Sequence, residues 1–309
     1  MKVLVTGGAG FIGSTLARRL VADGHTVRVL DNLETGSRDN LMAGIDLIEG
    51  DIRDPQAVAA AMAGMDAVAH LAAMVSVAVS VEEPRRCFDV NVVGTRHVLE
   101  AARESGVRRV ALASSAAVYG NEPTLPKRED LAPAPASPYA YSKWHNEVDA
   151  GYYGAYLGLE TVALRFFNVY GPRQRPDSPY SGVISIAADR LLTGQTFTVN
   201  GTGEQTRDFV YVEDVAGALV SALSAPGLTH EVVNVGRGER VSLLELLAVM
   251  GEAVGREPSL AFGPPRSGDV IHSVCDPARL ADRLGYRARV PLAEGLARTI
   301  AWMREGARA

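Results

Sequence analysis

Apolar residues recur along the first half of the chain in two alternating rhythms. Short β-rich runs occupy Val3–Thr6, Thr26–Asp31, Asp46–Gly50, Ala67–Leu71, Arg109–Ser114 and Thr161–Arg165. Between them lie stretches with helical spacing: Phe11–Asp23, a segment opening at Asp54-Pro55, and the regions near Phe88–Ser105 and Tyr139–Leu157. Local chemistry marks the helix ends. Gly24 follows the first helix as a C-cap residue, and Asp54-Pro55 joins an N-cap acceptor to a proline at the first helical position. Strands of this kind alternating with helices predict a parallel sheet covered on both faces, a doubly wound α/β fold.

The second half has a different rhythm. Pro172–Gly182 is rich in Pro, Arg and Ser and reads as a loop. A helix over Ile184–Thr193 follows, then hairpin-like pieces at Phe197–Gly203 and Phe209–Val212, then a helix over Val215–Ser224. Val232–Val235 reads as one more strand of the main sheet, and Ser242 caps a helix running to about Val254. There are no repeats. The division expected is a nucleotide-binding domain over residues 1–170, with a return segment at about 208–235, and a smaller mixed α/β domain over residues 171–309.

Composition narrows the class. The chain has 309 residues, 47% hydrophobic and 22% charged, which suits a soluble globular protein. Its net charge of -5 argues against nucleic acid as a partner, because phosphate backbones need a basic face. A nucleotide ligand needs only a few local cations and stays open. The two cysteines, Cys87 and Cys275, make neither a disulfide framework nor a zinc cluster, and are expected as free thiols in a reducing cytoplasm. No signal-peptide core and no apolar run long enough to span a bilayer is present, so no membrane partner is expected.

The glycines come next. Thr6-Gly7-Gly8-Ala9-Gly10-Phe11-Ile12-Gly13 lies between the first strand and the first helix, and Gly8, Gly10 and Gly13 satisfy G-x-G-x-x-G. Glycines there allow a tight turn and close approach to a pyrophosphate, while the helix start supplies free N–H groups and a positive dipole. Asp31 ends the second strand, where a carboxylate accepts from the adenosine ribose 2′-OH and repels a 2′-phosphate. That favours NAD over NADP, with Arg38 nearby as a softening charge. Asp51, beside Ile52, reads either as an adenine contact or as a turn cap.

Tyr139-Ala140-Tyr141-Ser142-Lys143 puts Tyr139 and Lys143 on one helix face at i and i+4. A free tyrosine titrates near about 10; an ammonium and a nicotinamide cation beside it stabilise the phenolate, making Tyr139 a candidate general base. Tyr141 lies two residues from the lysine and faces elsewhere. Ser114-Ser115-Ala116-Ala117-Val118-Tyr119-Gly120 follows a buried strand, at the sheet end where doubly wound folds bind ligands. A serine hydroxyl there can hold a substrate hydroxyl beside the tyrosine.

With these motifs, the chain resembles the extended short-chain dehydrogenase/reductases, within their nucleotide-sugar 4-epimerases. The likeness runs through Asp31-Asn32-Leu33, His70-Leu71-Ala72-Ala73, Asn91-Val92-Val93-Gly94-Thr95, Leu164–Arg173, Gly203–Val210 and Arg266-Ser267-Gly268-Asp269. The resemblance implies a Rossmann-type domain with a smaller substrate domain. It implies NAD contacts from Gly7, Gly10, Phe11, Ile12, Gly13, Asp31, Asn32, Asp51, Ile52, Leu71, Ala72, Ala73, Asn91, Ser114, Tyr139, Lys143 and Phe166. It implies Tyr139 as base, Lys143 on the nicotinamide ribose and Ser115 at the sugar 4-OH. Substrate contacts would come from Ser76, Ser115, Ala116, Asn168, Arg175, Val183, Arg207, Arg266 and Ser273. Arg207 and Arg266 suit the pyrophosphate of a UDP-sugar, since a guanidinium pairs bidentately with phosphate oxygens; each could instead be a solvated surface charge.

The reaction so implied oxidises C4 to a transient 4-keto sugar and reduces it from the other face, with no net change in the cofactor. A 4,6-dehydratase would carry an Asp-Glu pair where this chain has Ala116 and Ala117, and a UDP-glucuronate decarboxylase a Glu close by. The sugar is less determined. Ser273, seven residues after Arg266, stands at a position that gates the sugar pocket in related epimerases. A small residue there leaves room for an N-acetyl group beside the glucose and galactose series. Arg175 resembles a carboxylate partner of UDP-glucuronate 4-epimerases, which tend to carry Thr at the Asn168 position. Asn200 replaces an aromatic that often stacks on uracil, leaving UDP against dTDP open. A non-catalytic NAD-binding protein is the alternative of a different class. The resemblance also implies a homodimer, built on the helices near Phe88–Ser105 and Tyr139–Leu157.

Overall fold

The structure, a computed structural model, describes residues 1–174, 182–265 and 270–306. Its first half winds β1 (Lys2–Thr6), α1 (Phe11–Ala22), β2 (Thr26–Asp31), β3 (Asp46–Glu49), α2 (Pro55–Met62) and β4 (Ala67–His70). Then come α3 (Val77–Glu82), α4 (Pro84–Phe88), α5 (Gly94–Glu104), β5 (Arg109–Ser115), α6 (Pro138–Leu157) and β6 (Glu160–Phe166). A π-helical turn over Asp89–Val93 joins α4 to α5 with helical backbone on both sides. The helix expected near Phe88–Ser105 therefore starts four residues earlier, at the proline that opens α4. The local signals act as expected elsewhere: Asp54 accepts from Gln56 N–H, with Pro55 opening α2, and Asp23 rather than Gly24 takes the C-cap of α1.

The second half contains β7 (Asn168–Tyr170), α7 (Val183–Thr193), β8 (Phe197–Asn200), β9 (Thr206–Arg207), β10 (Phe209–Tyr211), α8 (Val212–Ser224) and β11 (His230–Val235). It ends with β12 (Val241–Ser242), α9 (Leu243–Val254), β13 (Leu260–Gly263), α10 (Ala278–Leu284) and α11 (Leu292–Gly306). Ser242 caps α9 in a full capping box with Glu245. The hairpin-like pieces are corrected: β8 pairs with β13 and β10 with β7, both in parallel, each with a partner distant in sequence. Short alternating runs look alike in hairpins and in parallel pairs, and only the tertiary path separates them.

Seven parallel strands form the main sheet in the order β11-β6-β5-β4-β1-β2-β3. β11 lies against β6, so the chain does return to the sheet from the second half. One face buries Leu16, Ala17 and Leu20 of α1 with Val215, Leu219 and Ala222 of α8; the other buries Val58 and Met62 of α2 with Val98 and Leu99 of α5. A third apolar cluster joins α7, α9 and α11 around Leu191, Leu246, Met250 and Ile300. Strand order reverses between β1 and β4, and the crevice beyond the strands' carboxyl ends there is the expected ligand position. No helix among the described residues is long and apolar enough to cross a membrane.

Candidate active site

A cleft of about 800 Å³ opens at that reversal point. Its floor begins at the glycine turn. Gly7 has φ 69°, and a Cβ on it would lie 2.7 Å from Ala72 N. A Cβ on Gly13 would lie 2.1 Å from Gly7 O. The loop is thus packed too tightly for any side chain, and its backbone edge faces the cleft. No side chain caps the start of α1, where Phe11, Ile12 and Gly13 line the wall. Asp31 is 7% exposed; one carboxylate oxygen accepts from Ala9 N at 2.9 Å and the other from Leu33 N at 2.8 Å. Burial pushes its carboxyl up and the two amides oppose that shift. Each oxygen keeps a lone pair for a ribose hydroxyl. Arg38, the charge that could have softened a preference for NAD, is engaged by Glu49.

Asp51 meets both of its readings. It accepts from Arg53 N at 2.8 Å, as a turn cap does, and it lines the cleft beside Ile52. Arg53, followed by weaker contacts including Asn32, holds its carboxyl well below the usual range, against the opposing effect of burial. Leu71, Ala72, Ala73, Ser114, Tyr139, Lys143 and Phe166 continue the wall. The dinucleotide therefore fits on three counts: a flush glycine cradle, an uncapped helix start and a buried acid with free lone pairs.

At the far end of β5, Ser115 caps a short 3-10 turn, accepting from Ala117 N at 3.1 Å. Ser137 caps α6 in the same manner, so Pro138 and Tyr139 start the helix, and Ser80 of α3 accepts from Tyr139 N at 3.2 Å. Tyr139 and Lys143 share one face: the ammonium lies 5.9 Å from the phenol ring centre and donates to Ala113 O at 2.9 Å. One expectation is corrected here. Burial pushes the Tyr139 phenol up, the Ser115 hydroxyl pulls it back, and Lys143 is not among the groups that lower it. Burial also brings the Lys143 ammonium down to about 8, against the raising influence of Cys87 and Glu147. Lowering the phenol further needs a positive charge inside the cleft, which an oxidised nicotinamide ring carries.

Behind these residues lies a buried polar chain absent from the sequence reading. Ser114 donates to Glu147, one helical turn beyond Lys143. Arg165 of β6 grips Glu147 with two bonds of 2.9 and 2.8 Å, and both side chains are at most 5% exposed. The guanidinium stacks 4.8 Å from the Tyr119 ring centre, and Tyr119 donates to Asn234 at 2.7 Å. The chain ties β5, β6, β11 and α6 together under Ser115 and Tyr139. An acid four residues beyond Lys143 and an arginine in a buried strand were the available signals.

Asn168, Arg207 and Ser273 reach the cleft from the second half. Asp208 gathers this side: its carboxylate accepts from Arg237 N, Gly238 N and Cys275 N at 2.8, 2.9 and 3.1 Å, while its carbonyl accepts from Asn168 N. Ser273 N donates to Thr206 O at 3.1 Å, bringing that segment beside Arg207. Ala116 and Ala117 also line the wall. Three expected contacts do not face it. Asn91 is 1% exposed and bonds to both backbone groups of Met74 and to Ser142, so it braces the wall from behind. Ser76 is buried as the N-cap of α3, and Val183 opens α7 without lining the cleft. Arg175 and Arg266 lie outside the described residues. The sequence reading missed Glu34, Arg86, Lys127, Arg173 and Gln174, which do line the cleft. All but Lys127 sit in loops or short helices whose path no local pattern sets.

Comparison with known proteins agrees with this geometry. The chain is 42% identical to a UDP-glucose 4-epimerase of Mycolicibacterium smegmatis, covering 98% of this chain and 99% of that one. It superposes with a TM-score of 0.95 on the Thermotoga maritima UDP-glucose 4-epimerase solved with UDP-glucose, at 36% identity over 99% of this chain and 100% of the other. With the Thermus thermophilus UDP-glucose 4-epimerase solved with NAD the TM-score is 0.91, at 42% identity over 98% and 99%. The model of the NAD dependent epimerase/dehydratase family matches residues 3–236, and with the glycine cradle, the buried acid and the Ser-Tyr-Lys set in one cleft, the chain belongs to that family.

Proposed function

We propose that this protein is an NAD-dependent UDP-hexose 4-epimerase. The observation that carries the reading is the convergence of Ser115, Tyr139 and Lys143 on the dinucleotide cleft, with only methyl groups at Ala116 and Ala117 where elimination or decarboxylation would need an acid. Gly7, Gly10, Phe11, Ile12, Gly13 and Asp31 would hold NAD, with Leu71 to Ala73 and Phe166 along its length. When bound, NAD supplies a hydride acceptor, and later donor, for sugar C4. Tyr139 takes the proton from the C4 oxygen and returns it. Ser115 keeps that oxygen within reach whether it is a hydroxyl or a carbonyl. Lys143, fixed on Ala113 O, offers its remaining donors to a ribose. Arg207 and Asn168 hold the diphosphate-sugar from the second half.

The assignment of residues 1–170 and about 208–235 to the cofactor, and of the rest of 171–309 to the sugar nucleotide, is supported by β11 in the main sheet and by the separate core around Leu246 and Ile300. The two buried free thiols, Cys87 and Cys275, support a cytoplasmic setting.

The test is a panel of UDP-glucose, UDP-N-acetylglucosamine and UDP-glucuronate, with inversion at C4 followed by NMR. UDP-glucose is expected to equilibrate with UDP-galactose, and the small Ser273 predicts turnover of the N-acetyl sugar too. Turnover of UDP-glucuronate alone would move the assignment to the hexuronate series. Absence of turnover and of any transient absorbance in the reduced-nicotinamide band would favour a binding protein.

A homodimer belongs to the same proposal. Tyr141, Val148, Tyr152 and Tyr156 form an exposed stripe on α6, flanked by Val77 and Val81 of α3 and by Phe88, each at least 48% exposed. A contiguous apolar face of this kind marks an interaction surface, and a second copy would cover it. Replacing Tyr152 and Tyr156 together by Glu is expected to give a particle of 32.8 kDa in light scattering, against about twice that for the wild type. An unchanged mass would remove this face as the interface.

A further inference from the structure

The loop after β7 turns back over the start of α1 at Arg173. Among the described residues only Leu33 and Arg173 are non-glycine residues with positive φ, Arg173 at 72°. A side chain does not favour that backbone, so the surroundings must hold it there. The turn aims the guanidinium at α1. Nε donates to Ser14 Oγ at 3.2 Å and Nη2 to Thr15 Oγ1 at 2.8 Å, while Nη1 has no acceptor among the described residues. The residue lines the cleft.

The charge sits where its surroundings oppose it. Burial acts first to depress the Arg173 guanidinium, and the neighbouring Arg18 adds to that; Glu213, which acts weakly in the other direction, is paired with Arg298. The start of α1 is itself the positive end of a helix. Two hydroxyls satisfy its donors without neutralising anything. Nη1, with no acceptor among the described residues, and the uncapped first turn of α1 together suit an anion.

We infer that Arg173 binds a diphosphate, that of the dinucleotide, from the opposite side to the glycine cradle. The contact with Ser14 and Thr15, both on the helix that carries that cradle, favours the dinucleotide over the sugar nucleotide as its source. The cofactor is then gripped by both halves of the chain, and the loop leading to the sugar subsite is anchored through it. This rests on the assignment of the cleft to NAD and deepens it.

The experiment compares wild type, Arg173→Gln and Arg173→Lys as full-length protein stripped of cofactor. NAD is titrated into each, UDP is titrated into each after saturation with NAD, and the melting temperature of the NAD-free protein is read. For Arg173→Gln the dissociation constant for NAD is expected to rise roughly 10- to 100-fold, the range for one hydrogen bond to a charged group. Lys should fall between, since it keeps the charge and loses the fork. UDP affinity should change less than about 3-fold, and the NAD-free Gln variant should melt at or above wild type, because an opposed charge has been removed. Unchanged NAD affinity would overturn the inference. So would a lowered melting temperature of the NAD-free variant, which makes Arg173 a strut between loop and helix. Weakened UDP with unchanged NAD would overturn it in favour of the sugar nucleotide. A wild type that binds no NAD would instead bring down the functional assignment itself.

Discussion

Replacing Tyr139 by Phe is expected to lower kcat by at least a hundredfold and towards ten-thousandfold, with NAD still bound. The expectation follows from what the substitution removes. The ring stays in the wall at the start of α6, so the packing against α3 and the shape of the cofactor cleft persist. Only the hydroxyl beside Ser115 is lost, and with it the one group placed to exchange a proton at the sugar oxygen. General acid–base contributions of this kind are about 10²- to 10⁴-fold. Lys143 cannot substitute, because its ammonium is held on Ala113 O, and Ser115 is an alcohol with no base of its own. The measurement pairs kcat with cofactor content after purification. Turnover close to wild type would reject Tyr139 as the base, and lost NAD would recast it as a cofactor ligand.

The second large effect concerns stability. Glu147→Ala leaves the Arg165 guanidinium buried without its carboxylate and strips Ser114 of its acceptor. Breaking one side of a buried pair costs about 3–5 kcal/mol. For a chain of this length that corresponds to a fall of about 5–8 °C in Tm. Glu147→Gln keeps an acceptor for Ser114 and one for Arg165 and should lose less. Removing both charges together, Glu147→Gln with Arg165→Met, should recover much of the loss, since the cost lies in the unpaired charge rather than in the missing attraction. Calorimetry of the three variants reads this directly. A Glu147→Ala protein melting within about 2 °C of wild type would show that water or a shifted side chain neutralises Arg165, and would remove the clamp from the account.

Much of this molecule was legible along the chain. The sheet strands of the first half, the Asp54-Pro55 start of α2, the capping box at Ser242, the glycine turn before α1 and the shared face of Tyr139 and Lys143 are all short-range facts. Each depends on neighbours within a few residues, through periodicity, a backbone hydrogen bond or a missing Cβ, and so a string of residue types contains it. The chemistry these residues support was readable for the same reason.

What only the tertiary structure decided involves groups far apart in sequence. The parallel partners of β8 and β10 come from β13 and β7, and no local pattern distinguishes them from hairpins. Asn91 moved from the cleft to the support behind it because a π turn and its bonds to Met74 aim it there. The Glu147–Arg165 clamp joins a helix to a strand, and the reach of Arg173 to α1 spans most of the first domain. The direction of the Tyr139 phenol was set the same way: its spacing from Lys143 is a two-residue property, whereas burial is the sum over every wall of the cleft, and burial is what raises it, against the Ser115 hydroxyl. Sequence determines what each residue can do; the packed arrangement of distant segments determines how much water and charge surrounds it, and those set what it does.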